Sequence, residues 1–187
     1  MSEMHGDIRT DVGSGCRDCD RNQRRVLGSQ NVSRMCMVCG VDNPLGLKGR
    51  FLELDTGELL GVFQPLEQHQ GYPGRLHGGV LSAVLDETIG RSILVSSPDS
   101  WSVTVELALR YRKPVPLDRE IRVLARMTRD TSRLFEGTGE ILLEDGTVAV
   151  EASATYFKMP IERIAQRDFA EEWFPDDREN PESVVLP

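Results

Sequence analysis

A glycine-rich turn, a histidine and an acidic pair lie close together in the chain, and together they suit attack on a carbonyl group. The turn Gly71-Tyr72-Pro73-Gly74 leads into His77-Gly78-Gly79, and Asp86 and Glu87 follow shortly afterwards. The first N–H groups of a helix are unpaired donors at its positive end, so they can stabilise a developing oxyanion. A nearby carboxylate can attack the carbonyl or activate a water molecule.

A single amphipathic helix is expected to hold these groups. Apolar residues recur at spacings of three and four between residues 78 and 95, and Ser96-Ser97-Pro98-Asp99 ends the pattern. Asp86 lies at the border of the apolar stripe, and Glu87 is placed to pair with Arg91 one turn later. Each residue also has a non-catalytic interpretation. The glycines can simply allow a tight turn, His77 can cap the helix, and Asp86 can lie on a solvated face.

Strand patterns flank the helix on both sides. Two short apolar runs, 50–54 and 59–63, precede it around the turn Asp55-Thr56-Gly57-Glu58. Four longer runs follow it, at 103–111, 121–127, 135–143 and 148–157, with Val103, Val105, Leu107, Leu109 and Tyr111 expected to face a core. The pattern predicts an α+β fold in which an antiparallel sheet of about six strands covers one long helix.

Composition suggests three regions and excludes several classes of protein. Residues 1–48 form a polar N-terminal extension with two CxxC pairs, residues 49–160 form the folded domain, and residues 161–187 form a short helix and an acidic tail. A net charge of −8 argues against a general nucleic-acid binder. No apolar run approaches the roughly 20 residues that span a membrane, and the N-terminus lacks an apolar signal, so a cytoplasmic protein is expected.

The segment HGGVLSAVLDETIG, set between two strands and four strands, resembles the hotdog-fold acyl-CoA thioesterase superfamily, with its phenylacetate-type and 4-hydroxybenzoyl-CoA-type members. The resemblance covers roughly residues 36–159, and the acid nine residues after the histidine is its more specific part. The segments 36–40 and 43–47 also resemble the start of many members. The resemblance implies a long helix wrapped by a curved sheet, subunits joined edge to edge, and active sites at their interface.

The resemblance also implies roles for particular residues and hydrolysis of an acyl-CoA. The Gly78 N–H, in the motif that His77 opens, would polarise the thioester carbonyl. Asp86 would be the nucleophile or the general base, and the Thr104 hydroxyl would assist. Gly79 would contact substrate, and Gln70 or His69 would replace an Asn that some members carry at the position of Gly71. The resemblance implies no cofactor for catalysis.

Helix geometry gives an independent expectation about assembly. Gly78 and Asp86 are eight residues apart, which is about 12 Å along a helix axis, so one thioester cannot touch both within one subunit. A productive site therefore requires a homodimer with isologous contacts, or a dimer of dimers as in many relatives. A non-catalytic acyl-CoA-binding or sensing module remains the alternative. A hotdog hydratase is a third possibility, although its motif differs from His77-Gly78-Gly79.

Two cysteine pairs raise the question of a metal. Cys16-x2-Cys19 and Cys36-x2-Cys39 are 16 residues apart, a spacing that suits a four-cysteine structural zinc site. Alternatively, the second pair belongs to the family's N-terminal stretch and the first lies in a tail. The three histidines, His5, His69 and His77, do not form a cluster with an open position, so no catalytic metal is expected. A redox role for either pair lacks the usual βαβ context.

Overall fold

The computed structural model describes residues 22–166 and 169–187. Within these residues lie the helices α1 (Gly78–Arg91) and α2 (Ile161–Ile164), with short 3₁₀ turns at Glu67–His69 and Ser92–Val95. The strands are β1 (Gln23–Ser29), β2 (Val32–Ser33), β3 (Arg50–Leu54), β4 (Leu59–Phe63), β5 (Ser102–Tyr111), β6 (Ile121–Asp130), β7 (Leu134–Leu142), β8 (Val148–Lys158), β9 (Trp173–Phe174) and β10 (Ser183–Val185).

An antiparallel sheet curves around α1 and forms most of the structure. Its strand order is β10-β1-β3-β4-β6-β7-β8-β5, and β2 pairs separately with β9. The predicted α+β hotdog architecture is therefore confirmed. The predicted count of about six strands was too low, because the sheet has eight among the described residues. Six of them match the predicted runs, and β1 and β10 come from segments expected to lie outside the sheet.

The two additional strands cover the face of the sheet opposite the helix. Val26, Val184 and Leu186 pack there against buried leucines of β3, β4 and β6. The acidic end of the chain is also tied down by charge, because Arg50 Nε lies 3.2 Å from Asp176 Oδ2. The flanking segments are mostly polar, so the sequence did not predict that they pack on the sheet. Only a few apolar side chains in each segment make these contacts.

Helix α1 lies unusually close to the sheet because two strand glycines face it. A Cβ atom added at Gly137 or Gly139 of β7 would lie 2.7 or 2.8 Å from side-chain atoms of Ile89. Leu81, Val84, Leu85 and Ile89 are buried on the inner face of the helix. This close packing fixes the position and rotation of α1, and with it the direction of its outer residues.

Strand β5 forms an edge of the sheet and differs in part from its predicted pattern. Leu107 and Leu109 pack against the core, but Val105 is 62% exposed and Tyr111 is 52% exposed. A β-bulge between Thr104 and Glu106 shifts the register of β5 against β8, which breaks the alternation. The expectation that Val105 and Tyr111 face the core was therefore wrong. None of the described helices is long and apolar enough to cross a membrane.

Candidate active site

The carboxylate of Asp86 is held by hydroxyl groups from two neighbouring strands. Thr104 on β5 donates a hydrogen bond to Asp86 Oδ1 at 2.9 Å. Tyr156 on β8 donates to the same oxygen at 3.1 Å and lies 2.8 Å from the main-chain oxygen of Asp86. No other described residue donates to this carboxylate, so Oδ2 has no donor among them. The structure thus brings the predicted pair Asp86 and Thr104 together.

Tyr156 is a participant that the sequence alone did not reveal. Its side chain is buried, and its ring stacks on Phe135 with centroids 4.7 Å apart. Burial, and then the charge of Asp86, raise the pKa of Tyr156 above its usual range, so the hydroxyl remains a donor. A buried tyrosine usually needs a polar partner, and that is a signal in the sequence, but its partner depends on the pairing of distant strands.

The N-terminus of α1 presents one N–H group that no described residue accepts from. His77 caps the helix, because its Nδ1 accepts a hydrogen bond from the Gly79 N–H at 3.0 Å. The Gly78 N–H has no acceptor among the described residues. Tyr111, whose hydroxyl lies 3.0 Å from Gly78 O and 2.7 Å from Ser82 Oγ, packs alongside. The free donor therefore coincides with the positive end of the helix.

His69 and Gln70 hold the loop before the helix. His69 is buried; its Nδ1 accepts from the Leu66 N–H at 2.8 Å, and its Nε2 lies 2.8 Å from Leu45 O. Gln70 Oε1 accepts from the Gly74 N–H at 2.7 Å. Both ring nitrogens of His69 are therefore engaged by the protein itself. The predicted substrate contacts of His69 and Gln70 stay predictions, and the contacts observed are those of loop anchors.

The Gly78 donor and the Asp86 carboxylate open into different cavities. The cavity beside Asp86 has a volume of about 440 Å³, and the cavity beside Gly78 has a volume of about 390 Å³. They share no lining residue. Within a single chain the two groups therefore line separate cavities, in keeping with their separation along the helix. A third cavity, near Pro187, contains none of the predicted site residues.

An aromatic cluster forms one wall of the cavity beside Asp86. Trp101 lies 4.7 Å from Phe169 and 5.2 Å from Trp173, measured between ring centroids. The guanidinium of Arg91 lies over the ring of Trp173, at 4.5 Å from its centroid. Phe169 and Trp173 come from the segment after residue 160, so this wall combines parts of the chain that sequence reasoning treated as separate regions.

Cys36, of the second cysteine pair, lines the same cavity, and Cys39 lies beside it. One ligand atom from each of Cys36, Cys39 and Glu87 lies within 4.8 Å of the others. The predicted ion pair is present, with Arg91 Nε at 2.7 Å from Glu87 Oε1. A hydrogen bond from the Cys39 thiol lowers the pKa of Cys36 to about 6, and that hydrogen bond and burial raise the pKa of Cys39. Cys16 and Cys19 lie outside the described residues, so the four-cysteine site stays a prediction.

Comparison with known proteins shows what part of this chain is similar to. Residues 73–150 match the model of the thioesterase superfamily. The chain is 28% identical over 105 residues to acyl-coenzyme A thioesterase THEM4 of Mus musculus, covering 56% of this chain and 44% of that protein. It is 24% identical over 102 residues to acyl-coenzyme A thioesterase THEM5 of Homo sapiens, covering 54% of this chain and 40% of that protein. The chain thus spans less than half the length of these two relatives.

Solved structures agree with this comparison. A crystal structure of a thioesterase superfamily protein superposes with a TM-score of 0.61 at 27% identity, covering 67% of this chain and 64% of that one. Thioesterase superfamily member 2 of zebrafish superposes with a TM-score of 0.55 at 20% identity, covering 62% of this chain and 88% of that one. At the lower identity the likeness concerns the fold alone.

Proposed function

We propose that this chain, whose residues 73–150 match the model of the thioesterase superfamily, hydrolyses an acyl-CoA thioester to a free acid and CoA. The observation that carries the proposal is the Asp86 carboxylate, which Thr104 and Tyr156 orient at the edge of a cavity. The choice of acyl-CoA as substrate rests on the mouse and human relatives, both of which are named acyl-coenzyme A thioesterases.

Asp86 and the Gly78 N–H take complementary parts in the proposed reaction. Two hydrogen bonds fix Oδ1 of Asp86, so Oδ2 either attacks the thioester carbon to form an anhydride or removes a proton from an attacking water. Either route places negative charge on the carbonyl oxygen. The Gly78 N–H and the positive end of α1 stabilise that charge. The CoA thiolate leaves, and it is protonated by solvent. In the first route a water molecule then hydrolyses the anhydride, which releases the free acid and restores the Asp86 carboxylate.

The proposed active site is shared between two subunits. Gly78 and Asp86 are about 12 Å apart along α1 and face separate cavities, so one chain supplies only half of the machinery. Strand β5 is a ten-residue edge strand that exposes Val105 and Tyr111. Pairing of two β5 edges about a two-fold axis would cover these side chains and set Gly78 of one subunit against Asp86 of the other. A dimer of dimers is compatible with the same contact.

The two half-sites have different chemistry, which suggests how the substrate is oriented. Arg112 and Lys113 line the cavity beside Gly78. Arg112 pairs with Glu151 at 2.8 Å, and Lys113 Nζ lies 3.3 Å from Thr147 Oγ1. These cations suit the phosphates of CoA. The aromatic wall beside Asp86 suits the acyl group.

The activity is tested with a panel of short, medium, long and aromatic acyl-CoAs. Thioester loss is followed by chromatography, because the protein's own thiols react with thiol dyes. We expect turnover by the parent protein and its loss in Asp86→Asn, which keeps the size of the side chain but removes its charge. Turnover that persists in Asp86→Asn would contradict the role of Asp86. Acyl-CoA binding without turnover by the parent would favour the binding or sensing module.

The shared site is tested by mixing two inactive chains. Gly78→Pro removes the N–H from one half-site, and Asp86→Asn inactivates the other. The two variants are co-expressed with separate tags, and random pairing makes roughly half of the dimers mixed. Each mixed dimer has one intact site of two, so about a quarter of the parental activity is expected to return. Activity no higher than that of the separate variants, in a purified mixed dimer, would contradict a site that combines Gly78 and Asp86 across subunits.

A further inference from the structure

A loop and the proposed catalytic helix bring three metal-binding groups to one point. Cys36 and Cys39 lie in the turn that precedes β3, and Glu87 lies on α1, directly after Asp86. One ligand atom of each lies within 4.8 Å of the other two. Cys39 is fully buried, Cys36 is partly buried, and the Glu87 side chain is 27% exposed. The group therefore lies at the protein surface on one side and in the core on the other.

The cysteine turn is held in a fixed conformation. The Gly40 N–H donates to Cys36 O at 2.9 Å, and the Val38 N–H lies 3.3 Å from Cys36 Sγ. A Cβ atom at position 40 would lie 2.3 Å from Cys36 O, so the turn requires glycine there. The backbone of the turn thus positions the Cys36 sulfur and sets the spacing of the two cysteines.

Arg91 fixes the remaining side of the cluster. Its Nη2 lies 3.1 Å from Cys39 Sγ, and its Nε lies 2.7 Å from Glu87 Oε1. Its guanidinium also lies over the rings of Phe51 and Trp173, at 4.1 and 4.5 Å from their centroids. The arginine is therefore held in place and orients one carboxylate oxygen, while Glu87 Oε2 has no hydrogen-bond partner among the described residues.

We propose that Cys36, Cys39 and Glu87 bind one divalent ion of the zinc class. Two thiolates and a carboxylate carry three negative charges, Arg91 carries one positive charge, and a divalent ion balances the remaining two. Sulfur and carboxylate ligands together suit zinc. Two thiolates on a tetrahedral zinc lie about 3.8 Å apart. In the observed cluster all three ligand atoms lie within 4.8 Å of one another.

This site differs from the four-cysteine site expected from the sequence. Glu87 supplies a ligand from α1, so the bound ion would connect the cysteine turn to the helix that carries Asp86. Cys36, Asp86 and Glu87 line the same cavity. Metal binding is a property of these three side chains and holds or fails independently of thioester hydrolysis.

The experiment measures metal affinity in the full chain after reduction and removal of metal by a chelator. Zn²⁺ is titrated in competition with a chromophoric chelator, and Co²⁺ is used separately because thiolate ligands give it a charge-transfer band. The variants are Cys36→Ser and Glu87→Gln, and Gln retains an oxygen that can accept from Arg91. Glu162→Gln, at an exposed position on α2, is the matched control. A Cys16→Ser/Cys19→Ser double variant separates the two kinds of site.

We expect the parent to bind one equivalent of Zn²⁺ with a thiolate-to-Co²⁺ band. Cys36→Ser and Glu87→Gln should each weaken binding by at least about tenfold, and Glu162→Gln should not change it. Parental affinity in Glu87→Gln would overturn the proposal, as would a parent protein that binds no Zn²⁺. Binding lost in Cys16→Ser/Cys19→Ser and retained in Glu87→Gln would also overturn it, in favour of the four-cysteine site.

Discussion

Replacing Gly78 by proline removes one backbone N–H with little disturbance to the fold. Gly78 is the first residue of α1, where proline is well tolerated because that N–H makes no bond within the helix. His77 has φ −67° and ψ 136°, the extended conformation that a following proline favours. A Cβ at position 78 would lie 3.7 Å from Tyr111, an ordinary contact. The substitution therefore tests the donor and not the helix.

The expected loss follows from the role assigned to that donor. Removal of a single oxyanion donor typically lowers kcat by about 10²–10³, or roughly 2.7–4 kcal/mol of transition-state stabilisation. Gly78→Ala is the matched control, since it adds the same Cβ but keeps the N–H, and its kcat should remain within about tenfold of the parent. Stability should be unchanged or higher by up to about 1 kcal/mol in Gly78→Pro, because proline restricts the unfolded chain.

The assay is steady-state hydrolysis of the best acyl-CoA in the panel, with urea unfolding of each variant as the check on folding. A Gly78→Pro protein that is as stable as the parent and turns over within threefold of Gly78→Ala would refute the assignment of the oxyanion donor. A loss of turnover together with a large loss of stability would point to damage at the helix start, and the argument for a tolerated proline would then be wrong.

Three further outcomes are expected. Tyr156→Phe should lower kcat/KM by about ten- to a hundredfold, since a hydrogen bond to a charged group is worth about 1.5–3 kcal/mol; values within twofold of the parent would contradict the role of Tyr156. Gly139→Ala should lower the free energy of unfolding in urea by about 1–3 kcal/mol, because its Cβ would meet Ile89 at 2.8 Å, whereas Gly28→Ala, in open space, should not. The pKa of Tyr156 is raised in the folded state, so its contribution to stability is present below about pH 10 and falls as the pH rises further. Above pH 10 the urea midpoint should therefore fall more steeply with pH in the parent than in Tyr156→Phe. Parallel plots of urea midpoint against pH for the two proteins would contradict this expectation.

Local patterns in the sequence were sufficient to predict the central elements of the fold. The helix around Val84 and Ile89 and the six strands that enclose it have clear periods, and the family resemblance is confirmed by the match of residues 73–150. Strands β1 and β10 were not predicted, because a short strand within a polar segment is recognisable only from the strand with which it pairs. The exposure of Val105 was not predicted for a related reason, because a bulge depends on the register of two paired strands.

In the candidate site, too, only the residues of a local motif could be predicted. Asp86 and Gly78 belong to one short motif, so their spacing on a helix could be worked out from residue numbers alone. Tyr156 reaches Asp86 from a strand 70 residues away, and Trp173 reaches the cavity from beyond the predicted domain. Such partners depend on tertiary contacts that no local period encodes. The cytoplasmic location and the domain boundaries at residues 48 and 160 stay predictions.

The aromatic wall also determines what the molecule shows to a spectrometer. Trp101 and Trp173 are the two tryptophans of the chain, and both line the cavity beside Asp86. Intrinsic tryptophan fluorescence of this protein therefore arises entirely from that cavity. A molecule that enters there changes the emission without any label, whereas one that binds only beside Gly78 leaves both indoles untouched, so the two half-sites can be distinguished optically before any turnover is measured.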